Sequence, residues 1–147
     1  MYNTLLHAHS LLRYFILLTL LVVIIQSILG MAKKTPFGKW DDKASLYLLI
    51  FTHIQLIVGL ILYFVSPWVR FAEGAAADAG VRYWTMEHIS GMVVAVALIT
   101  VGRIRSKRKS NDVDRRRALL VFNVIALIVI MVVLAIGPRG ILAMTRP

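Results

Sequence analysis

Six side chains stand where an apolar helix should carry none. His9 and Arg13 fall in one long apolar run of the 147-residue chain, His53 and Gln55 in a second, and Glu87 and His88 at the head of a third. Polar or ionisable groups inside a membrane span are costly, usually point into the bundle, and are functional candidates by default. Imidazole is the side chain best suited to hold a transition metal or haem iron without thiolates, and this chain has no cysteine. That removes disulfides, thiolate metal sites, c-type haem attachment and cysteine-ligated iron–sulfur clusters together. Arg13 offers a bidentate donor to a carboxylate, whether a haem propionate, a quinone or carboxylate ligand, or Glu87 in a salt bridge. Glu87 beside His88 makes a poor acid–base pair, because adjacent helical residues point about 100° apart. No spacing implies a bound substrate, so the enzyme assignment stays open and leans against a stand-alone enzyme.

Four spans must position these groups. The chain is 59% hydrophobic, more apolar surface than a soluble core of this size buries, and the excess must face lipid. A helix needs about 20 residues to cross the hydrocarbon, and runs of that kind predict spans at about 5–30, 44–66, 86–104 and 118–137. Thr4 is expected to cap the first, Asp41 or Asp42 the second, and Gly137 with Pro138 to end the fourth. A signal peptide is not expected in the first run, which is too long and has no basic residue ahead of it. The predicted fold is an all-α integral membrane four-helix bundle in one domain, with no internal repeat.

Charge gives the orientation. The net charge of +10 would suggest nucleic acid in a soluble domain, but twelve of the seventeen basic residues fall in two loops. Lys33, Lys34, Lys39 and Lys43 lie between spans 1 and 2; Arg103, Arg105, Lys107, Arg108, Lys109, Arg115, Arg116 and Arg117 lie between spans 3 and 4. The positive-inside rule makes both loops cytoplasmic and both termini outside (periplasmic), with anionic lipid headgroups rather than nucleic acid as the contact of the basic cluster. The outer segments carry only Arg70, Arg82, Arg139 and Arg146. Trp40, Trp68, Tyr83 and Trp84 fall where interfacial rings are expected. The run Gly74 to Gly80 reads as a flexible link or a short outer cap.

Periodicity aims the polar groups. His9, Arg13, Ile16, Leu20, Val23 and Ser27 share one inward seam of helix 1, with His7, Ser10 and Tyr14 on the other side. His88, Gly91, Ala95 and Gly102 line one flank of helix 3, either for close helix packing or to leave room for a flat macrocycle. Counted from Arg103, His88 lies roughly 22 Å from the cytoplasmic boundary, within reach of His53; counted from Trp84 it lies only about 6 Å below the outer boundary and meets His9 instead. The charge run marks the sharper boundary, so His53 and His88 are the expected ligand pair, with His9 the alternative partner. Helix 4, with only Asn123 polar in its core, reads as scaffold.

The segments His9-Ser10-Leu11-Leu12-Arg13-Tyr14, Phe51-Thr52-His53-Ile54-Gln55-Leu56 through Gly59 to Tyr63-Phe64-Val65-Ser66-Pro67, Glu87-His88, and Leu98-Ile99-Thr100-Val101-Gly102 resemble a family of small four-span proteins from Bacteroidetes often labelled cytochrome b. The resemblance covers most of the chain. It implies a b-type haem in the bacterial inner membrane, with His9, His53 and His88 as candidate ligands and Arg13, Gln55 and Glu87 around them. Arg103 stands where relatives are expected to carry His, which argues against a second haem. The function this implies is electron transfer, with a quinone or respiratory membrane subunits as partner. The alternative is a non-redox membrane protein: a His-based metal or proton site, or an accessory subunit of a larger complex. The sequence leaves the oligomeric state open.

Overall fold

The computed structural model describes residues 1–69, 71 and 74–141. Arg70 and Arg146 of the orientation count lie outside the described residues, as does the side chain of Ala75 in the Gly74–Gly80 run. Among the described residues there are four helices long and apolar enough to cross a membrane: α1 (Tyr2–Ala32), α2 (Lys39–Val65), α3 (Ala79–Lys107) and α4 (Asp112–Ile136). No strand is formed among them. Large apolar side chains such as Leu18, Ile57, Val94 and Ile128 face outward on every helix, as lipid contact demands.

The helix ends follow local chemistry, with two departures from expectation. The chain is already helical at Tyr2, before Thr4, and Met1 caps α1 without a side-chain bond. The end of α1 is closed by Lys34, held at φ 55°, while Thr35 N–H bonds Gly30 O at 3.1 Å and Lys34 N–H reaches Met31 O at 3.4 Å. This is a Schellman motif with Lys at a position that favours glycine. Lys34→Gly is therefore expected to stabilise the protein by about 1 kcal/mol, read as a rise in the unfolding midpoint in detergent. The cap of α2 is Gly38, not Asp41 or Asp42; Asp41 sits three residues on and accepts the Gly38 N–H at 2.8 Å. Asn111 Oδ1 caps α4 by accepting from Val113 N–H at 2.8 Å, with Asp112 and Asp114 in the first turn favouring the helix dipole. Gly137 and Pro138 end α4 as expected.

The third span differs most. Its first α turn, Ala79–Arg82, is capped by Asp78 and preceded by a short 3₁₀ turn at Ala75–Ala77. It passes through a π turn at Tyr83–Glu87 before continuing as α-helix from His88 to Lys107. The span thus starts seven residues before the predicted 86. A π turn holds one extra residue, is rare, and is frequent at functional sites.

In the bundle α1 packs on α2 and α4, and α3 on α4 and more sparsely on α2, so α1 and α3 stand diagonally opposed. The core between them comprises Ile16, Leu20, Val23 and Ile24 of α1, Leu48 of α2, Ala95 and Ile99 of α3, and Leu119, Ala126, Ile130 and Leu134 of α4. The small-residue flank of α3 divides its work. A Cβ at Gly91 would collide with Val133, and one at Gly102 would stand 2.7 Å from Phe122 Cβ, so these two glycines serve α3–α4 packing. Gly102→Val is expected to cost about 1–3 kcal/mol by overpacking, measured by denaturation in detergent.

The basic end of the bundle is internally clamped. Arg103 and Arg116 are 7% and 3% exposed, not loop charges as the sequence suggests. Arg103 donates to Asp42 O at 3.0 Å and to Ser45 Oγ, with the Asp42 carboxylate 3.3 Å away. Arg116 forks onto Asp41, at 2.9 Å to Oδ1 and 3.0 Å to Oδ2. It also donates to Gln26 O at 2.9 Å and Pro36 O at 2.8 Å. Its guanidinium lies where a Cβ on Gly30 would be. One arginine of α4 thereby ties the end of α1, the connecting loop and the start of α2.

Candidate functional site

At the opposite end, near the start of α1, a cavity of about 180 Å³ lies between all four helices and the segment after α4. His9 and Arg13 of α1, Gln55 and Gly59 of α2, His88 of α3 and Arg139 all line it. The remainder of the lining is largely apolar and aromatic, including Leu56, Tyr63, Trp68, Trp84, Met92 and Ala95. Among the described residues Arg13 and Arg139 are the full cations of the lining, and no Asp or Glu is part of it.

His9 and His88 meet across the diagonal of the bundle in an edge-type contact, ring centres 6.3 Å apart and planes at 63°. An imidazole nitrogen bonds a transition metal at about 2.0–2.1 Å and lies about 1.1 Å from its ring centre, so two imidazoles on opposite sides of one ion have centres about 6.2–6.4 Å apart. The observed spacing matches. Among the described residues no group of three or more His, Cys, Asp or Glu side chains is placed to hold a metal. Two imidazoles alone do not complete the four-ligand shell that a bare zinc ion takes, whereas a tetrapyrrole brings four nitrogens of its own.

The polar groups around the pair support it. His9 Nδ1 is buried without a hydrogen-bond partner among the described residues, as is Gln55 Oε1. Gln55 Nε2 donates to His9 O at 2.9 Å, bracing α1 against α2 at the level of the ring. Gly59 gives that ring space: a Cβ there would stand 3.1 Å from His9 Cε1. On the other side His88 Nδ1 lies 3.4 Å from Tyr83 Oη, and Trp84 packs on His88 with ring centres 5.2 Å apart. Arg139 stacks on Trp84, 5.4 Å from its ring centre. Arg13 lies 4.9 Å from the Tyr14 ring and donates to its hydroxyl at 3.2 Å.

The other sequence candidates sit elsewhere. His53, the expected partner of His88, is exposed on the outer face of α2, with Nδ1 2.8 Å from Leu49 O on its own helix, and it lies outside the cavity lining. Glu87 accepts from Arg82 Nε at 2.8 Å, not from Arg13, and also lies outside the lining. His7 is exposed as expected, but Ser10, read as its neighbour on the outer side, is buried. Tyr83, read as an interfacial ring, is 3% exposed. Sequence reasoning did not find Gly59, Tyr83 or Arg139 as site residues. Only the proximity of Tyr83 to His88 in the chain could have pointed to it.

The chain matches no protein-family model, and no curated protein or solved structure is significantly similar to it.

Proposed function

We propose that this protein is a membrane-embedded b-type haem protein of electron transfer, in which His9 and His88 would hold the haem iron. The observation that carries the reading is the 6.3 Å spacing of the two imidazole centres in a cavity whose lining, among the described residues, has two arginines and no acid. A lining of that kind suits a ligand with an apolar body and anionic substituents, as haem b has in its macrocycle and propionates. Arg13 and Arg139 would hold the carboxylates, Gln55 and Gly59 would keep His9 in place, and Trp84 would shield His88. Bound haem supplies one-electron exchange, and the chain tunes it through the imidazoles, the nearby cations and the exclusion of water. His53 is not part of this assignment, because its ring is turned to its own helix.

The α2–α3 seam, the most sparsely packed of the four, is the proposed route by which haem would enter the cavity. Titration of haem into the purified cofactor-free protein is expected to saturate at one per chain, with b-type bands in the reduced-minus-oxidised spectrum. Failure to develop those bands with ample haem would sink the reading.

The redox partner belongs to the same proposal: a membrane quinone or a respiratory membrane subunit, since an electron carrier buried in lipid exchanges with partners that share it. So does the orientation. The basic end is placed in the cytoplasm of a bacterial inner membrane and both termini outside. The absence of native cysteine makes single-cysteine labelling clean: Ser110→Cys should react only with permeant reagents and Ala77→Cys with impermeant ones as well. The reverse pattern would contradict the orientation.

A further inference from the structure

His88 Nδ1 has a neighbour that His9 Nδ1 lacks. Tyr83 Oη stands 3.4 Å from it and 2.9 Å from Val133 O, with the tyrosine almost fully buried. Val133 is in the last turn of α4, where helix carbonyls run out of partners along their own helix, and a carbonyl oxygen can only accept. The single hydroxyl hydrogen of Tyr83 therefore goes to Val133 O. The phenol oxygen is left with lone pairs, so the hydrogen in the contact with His88 has to come from Nδ1. A neutral imidazole protonated at Nδ1 has its Nε2 bare. No other hydrogen bond to either nitrogen of His88 is formed among the described residues.

Two further features hold this arrangement. The π turn brings His88 N–H to Tyr83 O, so the two residues share one wide turn, and Tyr63 Oη of α2 donates to Thr85 O within it at 2.9 Å. Gly137 leaves the space the phenol occupies: a Cβ there would stand 2.5 Å from Tyr83 Oη and 2.6 Å from Cζ.

We propose that Tyr83 is a positioning residue that fixes His88 as the Nδ1–H tautomer and presents a bare Nε2 to the cavity. The use of that nitrogen as an iron ligand rests on the reading of the site given above; the tautomer does not. His88 Nδ1–H donating to an oxygen makes Nε2 a stronger donor, which favours the oxidised state of a metal bound there. The long contact sets a weak bond, and His9 has no partner at Nδ1 among the described residues. The two ligands are thus unequal, and the His88 side is the one the protein adjusts.

The test begins without haem. Long-range ¹⁵N correlation spectra of His88 in the cofactor-free protein in detergent should show the Nδ1–H form in the wild type. Tyr83→Phe should move His88 to a mixture or to Nε2–H while leaving the His9 signals in place. Gly137→Ala, which displaces the phenol without removing it, should do the same and serves where Tyr83→Phe unfolds. A wild-type His88 in the Nε2–H form, or a Tyr83→Phe spectrum identical to the wild type, would overturn the proposal. In the haem-loaded protein Tyr83→Phe should raise the midpoint potential and weaken haem binding about tenfold; an unchanged potential with haem bound would overturn the effect on the ligand. Failure of the wild type to bind haem would count against the cofactor reading alone, because the nitrogen spectra decide the tautomer by themselves.

Discussion

His9→Ala and His88→Ala are each expected to abolish stable haem binding, with affinity falling by more than about 100-fold, beyond the 10–100-fold that loss of an outer hydrogen-bond partner costs. His53→Ala should bind as the wild type does. The contrast follows from geometry: the rings of His9 and His88 are spaced for one ion between them, while His53 bonds its own helix at Leu49 O. Titration of haem followed by absorbance separates the three variants. Retention by His9→Ala together with loss by His53→Ala would show that the iron sits at another level of the bundle, nearer the His53 level to which the count from the charge run pointed.

The second large effect lies at the other end of the molecule. Arg116→Ala is expected to destabilise the protein by about 3–5 kcal/mol, the range for breaking one partner out of a buried ion pair. The change strips the fork from Asp41, whose side chain is only 14% exposed, and leaves Gln26 O and Pro36 O without their shared donor. Arg117→Ala, one residue along, should stay within about 0.5 kcal/mol of the wild type, because its contact with Asp114 is exposed at 3.6 Å. Unfolding in detergent micelles measures both. Equal stabilities of the two variants would mean that Arg116 acts only as another basic loop charge. Gly30→Ala should follow Arg116→Ala in direction, since its Cβ takes the space of the guanidinium.

The order of the spans, the inward seam of α1 and the stop at Gly137-Pro138 could be read from the sequence because each rests on a local rule: run length, a repeat of three and four, a residue that cannot continue a helix. His9 and Arg13 were placed correctly for that reason. The depth of His88 could not be read in the same way. Residues 79–85 read as part of the outer segment, yet they form the first turns of α3, and the π turn at Tyr83–Glu87 shifts the angular phase of what precedes His88 by about one residue, or 100°. The count from Trp84 therefore assumes a regular helix that begins too late, whereas the count from Arg103 runs along regular α-helix and pairs His88 with a His53 whose ring is exposed and bonded to its own helix.

His53 illustrates a different limit. A histidine inside an apolar span reads as inward-facing, but a ring that reaches its own i−4 carbonyl satisfies one nitrogen without a neighbour, and periodicity does not reveal that option. Arg103 and Arg116 were hidden in a run of charges that topology alone explained. The signal that could have separated them is the pair Asp41-Asp42 at the head of α2, two acids facing a basic loop across the bundle end. Tertiary pairing of that kind connects residues more than sixty positions apart, beyond the reach of any local pattern.

The most direct measurement of the central assignment is the ligation state of the iron in the haem-loaded wild type, read by electron paramagnetic resonance of the oxidised form against the protein's concentration. One low-spin, six-coordinate centre with two imidazoles per chain is the predicted result, converted to a five-coordinate high-spin centre or lost in both His9→Ala and His88→Ala. A centre with a single imidazole in the wild type, or a bis-imidazole centre that survives either substitution, would contradict it.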